Sequence, residues 1–259
     1  MAPPQPEEKA SELIERFNHL VSQPNVTQFE LLRMEGEVKK LLTVDAVHAY
    51  LLLGMLGCLK KDESMMRENH ERALKLAPNS FVVICNYATS LSKYFYFSEA
   101  QEYYKRALEI TPNEATVVKS LIDCLYIGGR FHEARHYLDL HESTIKESGG
   151  RNNVIREADE LLEEIQDDEL AEIQKVVSDI VRERGYYSAL PVISLVDDEG
   201  ETSVDYDLSV NAGYEEIADA NMQLIEKMIE RFDDYHTDSL VFRISYSDFQ
   251  QEQNITYLT

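Results

Sequence analysis

Two stretches of this chain repeat each other at an interval of 34 residues. Ala-Leu-Lys-Leu-Ala-Pro-Asn at 73–79 returns as Ala-Leu-Glu-Ile-Thr-Pro-Asn at 107–113, and the same interval separates Ala100 from Ala134 and Phe97 from Phe131. A fixed period of this size means that one supersecondary unit is used repeatedly, each copy burying an apolar face against the next. The residue types fit paired helices. Small side chains let two helix backbones approach closely, and a proline closes each unit because it has no N–H to donate and restricts the residue before it.

The 34-residue period, the small residues and the closing proline resemble the tetratricopeptide repeat family. With Phe81 as first position of the clearest copy, that family's pattern puts Tyr87 and Ala88 on helix A, Ala100, Tyr104 and Ala107 on helix B, and Pro112 at the end. The copy at 47–80 keeps Gly54, Ala73 and Pro78 but has Met66 where alanine is usual. The copy at 115–146 keeps Phe131 and Ala134 but has Ile122, His141 and Lys146 at later pattern positions, the decay of a terminal unit. The resemblance covers about 100 residues, and more if helices near 8–22 and 28–42 form a capping pair. It implies a helical-hairpin solenoid whose concave face binds protein segments.

In that family the concave contacts come mainly from helix A, here His48, Leu51, Met55, Cys85, Asn86, Thr89, Lys93, Thr116, Lys119, Asp123 and Tyr126. The chaperone-tail carboxylate clamp is matched only at Asn86; Leu51, Met55, Thr116 and Ser120 depart from it. The expected groove, Met55, Cys85, Asn86, Thr89, Lys93, Lys119, Asp123 and Tyr126, is mixed in polarity and suits an extended or helical segment. Tyr94, Phe95 and Tyr96, just before the family's buried aromatic at Phe97, are expected at a solenoid edge, where exposed aromatics mark an interface.

Charge divides the 259 residues. The whole chain carries 48 acids against 25 bases, a net charge of −23, but residues 1–146 hold 20 acids and 17 bases while 147–259 hold 28 and 8. The break falls at Gly149-Gly150, expected to be a flexible joint. An excess of this sign argues against nucleic acid, which is bound by neutralising phosphates with Lys and Arg, and against anionic membrane surfaces. The longest apolar run, Ala49 to Leu56, is far short of a membrane span, and the first residues lack the basic and apolar regions of a signal peptide. Cys58, Cys85 and Cys124 are far apart and contain no Cys-x-x-Cys, so the expected setting is the cytoplasm.

His132-Glu133-Ala-Arg-His136 matches His-Glu-x-x-His, the spacing with which zinc peptidases hold metal; Asp159 or Glu160 is the candidate third ligand. Yet Gly129 to Ala134 is what the repeat itself requires at a helix B start, and Arg135 puts a charge between the histidines. The match is read as chance, with no metal, no cofactor and no catalytic residue expected. The Asn-x-Thr strings at Asn25 and Asn254 mean nothing without secretion.

Beyond residue 150, Val154, Ala158, Leu161, Leu162 and Ile165, then Leu170, Ile173, Val176, Val177, Ile180 and Val181, recur at helical spacing, with Asp167 a candidate N-cap. The opposite face is acidic: Glu157, Glu160, Glu163, Glu164, Glu169 and Glu172. Val192 to Val196 reads as a strand, Asp197 to Gly200 as a turn, and Val204, Tyr206, Leu208 and Val210 alternate as a half-buried strand. Ile217, Ala218, Ile225, Met228, Ile229 and Phe232 return to helical spacing, and Leu240, Phe242, Ile244 and Tyr246 alternate again. Asp197, Asp198, Glu199, Glu201, Asp205 and Asp207 crowd one hairpin; their spacing fits no EF-hand, and they are expected to be a solvated outer strand face that protects an edge, with binding of a basic protein or a divalent ion as the alternatives.

The expected fold is therefore mainly α: N-terminal helices over 1–46, three repeats over 47–146, acidic helices over 147–187, and a small α+β domain (helix, hairpin, helix, strand) over 188–259. The expected function is non-enzymatic protein–protein interaction through the groove and the acidic domain. The partner is a protein or peptide with a basic surface, neutralised as by an immunity protein or antitoxin, or chaperoned. The alternative is a regulator or enzyme whose site lies in the acidic domain, with the repeats as targeting module.

Overall fold

The computed structural model describes residues 6–23, 26–143, 145, 149–163, 165–186, 190–198, 200–232 and 240–247. Those residues form eleven helices and three strands. They divide into two compact units, one containing Met1–Pro112 and the other Asn113–Phe249. The partition lies inside the stretch expected to hold all three repeats.

The first unit is a stack of helical hairpins: α1 (Pro6–Val21) with α2 (Gln28–Leu41), α3 (Ala46–Leu59) with α4 (Glu63–Leu76), and α5 (Phe81–Lys93) with α6 (Phe97–Ile110). Short polar residues start them. Thr27 and Glu30 form a reciprocal capping box, while Asp45, Asp62 and Ser80 each accept an N–H from the first turn of the helix that follows. The small residues sit where the spacing places them: Ala73, Ala88, Ala100 and Ala107 are wholly buried. Gly54 serves the same purpose, since a Cβ there would lie 2.6 Å from the ring of His70. That imidazole is fully buried, stacks on Tyr87 with centroids 5.0 Å apart, and meets the Ser90 hydroxyl at 2.9 Å through Nε2. Burial pushes its pKa down to about 3, so the ring is neutral.

The second unit begins with one more hairpin, α7 (Ala115–Ile127) and α8 (Phe131–Leu140), followed by α9 (Gly149–Leu161) and α10 (Asp167–Arg184). The glycine pair expected to act as a joint is the first turn of α9. Asp167 is the first residue of α10, whose N-cap is Gln166. Then come β1 (Leu190–Asp198), β2 (Glu201–Val210), α11 (Tyr214–Arg231) and β3 (Leu240–Tyr246). The sheet has the order β1-β2-β3: β1 and β2 form an antiparallel hairpin, turned at Gly200 with φ +93°, and β3 runs parallel to β2 after the helical crossover.

Val204, Tyr206, Leu208 and Val210 are buried, as their alternation requires. Tyr206 ties the sheet to the helices: its hydroxyl donates to the Ile127 carbonyl at 3.1 Å and accepts from Gln174 at 3.1 Å. Ion pairs from Lys227 to Glu183 at 2.8 Å and Arg231 to Glu172 at 2.6 Å lay α11 against α10. The carboxamide of Asn221 both donates to the Ile244 carbonyl (2.7 Å) and accepts its N–H (2.9 Å), pairing with β3 as a neighbouring strand would.

One backbone feature ties the three repeat hairpins together. The residue in the turn between helices A and B takes the left-handed conformation in each: Lys61 (φ 57°), Phe95 (φ 61°) and Gly129 (φ 80°), spaced by the same 34 residues as the sequence repeat.

Candidate interaction surfaces

In the first unit, α3 and α5 carry the expected groove residues. Met55, Cys85 and Asn86 are buried, so they are packing rather than surface. Thr89 is half-buried; its hydroxyl donates to the Cys85 carbonyl at 3.0 Å and lies 3.1 Å from the Tyr104 hydroxyl, linking α5 to α6. Lys93 is half-buried, and burial lowers its ammonium pKa from the ordinary value. In the second unit, Lys119 of α7 is exposed, Asp123 is half-buried, and Tyr126 is buried with its ring edge-on to Phe131 at 5.1 Å.

The aromatic run is not an exposed edge. Tyr94 is only 1% exposed and Phe95 only 5%. Because Phe95 takes the left-handed turn position, its ring folds inward, edge-to-face against Phe97 at 5.4 Å. Tyr94 reaches the preceding hairpin, its hydroxyl 3.4 Å from the Gly57 carbonyl. Tyr96 is half-buried beneath the guanidinium of Arg67, 4.1 Å from its ring centroid. Arg67 in turn grips Glu99 with two bonds of 2.9 Å and Glu63 with a third. The hydrogen bond to Glu99 is the chief cause raising its pKa.

The acidic hairpin also needs correcting. Asp197, Asp198 and Glu201 are exposed, the first capping the turn by accepting the Gly200 N–H at 3.0 Å. Glu199 and Glu164 lie outside the described residues. Asp205, however, is buried and Asp207 half-buried, because β2 is the middle strand and has no edge to protect. Arg243 on β3 bridges them, 2.7 Å from Asp205 and 3.4 Å from Asp207. Burial raises the Asp205 carboxyl pKa against the pull of that guanidinium.

His132 serves the fold. Its Nδ1 lies 2.5 Å from Asp159 and its Nε2 2.8 Å from the Ile165 carbonyl, so both nitrogens face acceptors and both are satisfied only when the ring carries two protons. The backbone N–H groups of His132 and Glu133 donate to Asp167, whose carboxylate caps the start of α8 from another helix. Arg130 pairs with Asp168 at 2.7 Å, and Arg135 lies 3.7 Å from Asp159. His136 packs edge-on to Tyr137 instead of sharing a site with His132. Asp159, the candidate third metal ligand, is thus a partner of His132, and a metal at Nδ1 or Nε2 would have to displace one of these contacts.

Burial works against the charged ring of His132, but the Ile165 carbonyl, Asp159 and the nearby Asp167 charge outweigh it and raise the pKa above 6.5. A raised folded-state value stabilises the fold fully below the unfolded-state pKa of about 6.5 and ceases to do so as pH rises through the folded value. Denaturant midpoints of the wild type are expected to fall as pH rises above about 6.5, while those of His132→Gln change less over the same rise. Parallel profiles for the two proteins would remove His132 as the cause.

The fold is a tetratricopeptide-like array of helical hairpins followed by a small three-stranded α+β portion. No family model matches the chain, and no curated protein does. A solved structure titled "Functional Characterization of Pseudomonas Aeruginosa pilF" is similar at 16% sequence identity, covering 70% of this chain and 94% of that one with a TM-score of 0.33. The hairpin repeat therefore rests on the chain's own spacing and helices. No helix among the described residues is long and apolar enough to cross a membrane.

Proposed function

We propose that this chain is a non-enzymatic protein-interaction protein of the cytoplasm whose acidic second unit recruits a basic protein partner. It would act as a neutraliser of that partner or as its chaperone, with the helical hairpins as a further binding element. The observation that carries this is the state of the charges. Residues 113–249 hold 32 acids and 12 bases. Arg130, Arg135, Arg156, Arg182, Lys227, Arg231 and Arg243 are all engaged by carboxylates of the same unit, while Asp197, Asp198 and Glu201 stand exposed. The unspent charge is negative, and it speeds and orients encounter with a positive surface.

The test is capture from the native host with the full chain and with the triple variant Asp197→Lys/Asp198→Lys/Glu201→Lys. A basic protein should be held by the wild type, be released in about 1 M salt, where the Debye length is ~3 Å, and be lost at least about tenfold by the triple variant. Capture that ignores both salt and the three substitutions would sink the electrostatic reading.

A further inference from the structure

Helix α11 has two apolar faces and, among the described residues, cover for only one of them. Ile217, Ala220, Leu224 and Met228 are buried at i, i+3, i+7 and i+11. Ala218, Met222, Ile225 and Ile229 form a second ridge at i, i+4, i+7 and i+11, and all four are exposed. Met222 is 56% exposed, Ile225 52% and Ile229 73%, which is far from the burial that aliphatic side chains favour. The ridge spans about 17 Å at 1.5 Å per residue, three helical turns. Tyr214, itself 78% exposed, packs at a tilt against Tyr246 at one end, with centroids 5.4 Å apart. A contiguous exposed apolar ridge with aromatics at its margin is the usual composition of a binding face.

The flank of the ridge specifies the occupant. Glu215, Asp219, Glu226 and Glu230 line one border at helical spacing, all exposed, and none of them has an ion-pair partner among the described residues. The cations of the same helix are turned away: Lys227 is held by Glu183 and Arg231 by Glu172, both on α10. An apolar ridge three turns long with a row of free carboxylates along one side is complementary to a helix that carries an apolar stripe flanked by Lys or Arg. We infer that the outer face of α11 is a docking site for a basic amphipathic helix of a partner protein. The same carboxylates repel a second copy of this face and an anionic membrane.

The partner's positive charge is taken from the proposed function; the location on α11 and the helical form of the ligand are not, so the two can fail separately. The probe is a labelled synthetic helix of about five turns, leucine along one face and lysine elsewhere, titrated into the full-length chain and read by fluorescence anisotropy. The double variant Ile225→Asp/Ile229→Asp should weaken binding at least about tenfold, with a melting curve like the wild type because both side chains are exposed. Should that variant fold poorly, Ile225→Gln/Ile229→Gln gives the same reading. Glu226→Lys/Glu230→Lys should weaken binding similarly and reduce its salt dependence. A scrambled peptide of identical composition should bind at least about tenfold less tightly. The inference is overturned if the scrambled peptide binds as well as the probe or if the isoleucine variants bind unchanged. It is equally overturned if sedimentation shows a wild-type dimer that Ile229→Asp separates, or if phospholipid vesicles take up the wild type and not that variant. Loss of probe binding in the hairpin variant Asp197→Lys/Asp198→Lys/Glu201→Lys, with the α11 variants silent, would overturn the site while leaving the proposed function standing.

Discussion

Gly129→Ala is expected to lose about 3 kcal/mol of stability. Two costs coincide there. The backbone has φ +80°, where an L-residue pays about 1–2 kcal/mol that glycine does not. The added Cβ would also lie 2.6 Å from the carbonyl oxygen of Leu170 and 2.9 Å from its carbon, both backbone atoms of α10 that no rotamer change can move. Gly129 thus lets the A–B turn and α10 meet at backbone distance. In thermal unfolding the midpoint of the second unit should drop by roughly 10 °C, and amide exchange near Leu170 should accelerate. A drop of only a degree or two would mean that α10 can slide away at little cost.

The second large effect is expected at Gly57, where nothing about φ is unusual and contact alone decides. A Cβ there would sit 2.5 Å from the backbone nitrogen of Met66 and 2.8 Å from its Cα, where α3 crosses α4. Gly57→Ala should therefore force the two helices of one hairpin apart and cost about 2–3 kcal/mol, read as a lower denaturant midpoint with an unchanged slope. Gly36→Ala is the matching control. It lies within α2 with nothing within 4 Å of an added Cβ, and it should gain about 0.5–1 kcal/mol from helix propensity. Equal effects at the two glycines would refute a packing origin.

The hairpin pattern was legible because its constraints are local. A proline that stops a helix and alanines that permit a crossing act within one period, and Ala88, Ala100 and Ala107 are buried as that pattern demands. What escaped the pattern depends on distant partners. The alternation through β2 distinguishes two faces but does not say that β2 is the middle strand, nor that Arg243 returns beside Asp205 and Asp207. Aromatic letters at 94–96 do not reveal that Phe95 takes a left-handed turn, which is what draws its ring inside. Asp167 looked like the cap of its own helix and instead caps α8, a bond between groups 34 and 35 residues apart. The apolar residues of α11 were visible, but taken together they mix two stripes: Ile217 and Met228 face inward, Ala218, Ile225 and Ile229 outward. The signal for the second stripe is the run of apolar residues at 222, 224, 225, 228 and 229, which is too wide for a helix with a single covered side.

The left-handed residue at Lys61, Phe95 and Gly129 means that the three hairpins share a hinge geometry although they do not share a hinge residue. Conformation at that point is therefore imposed by the packing of the helices on either side, and only Gly129 adopts it without steric cost. Each hairpin behaves as a cassette with one standard joint. Splicing at 61, 95 or 129 exchanges 34-residue segments in phase, each made of helix B of one hairpin and helix A of the next, whereas a splice one residue off would rotate the following helix by about 100° and turn its alanines away from the crossing. Lengthening or shortening this protein is thus a matter of counting joints, not of matching side chains.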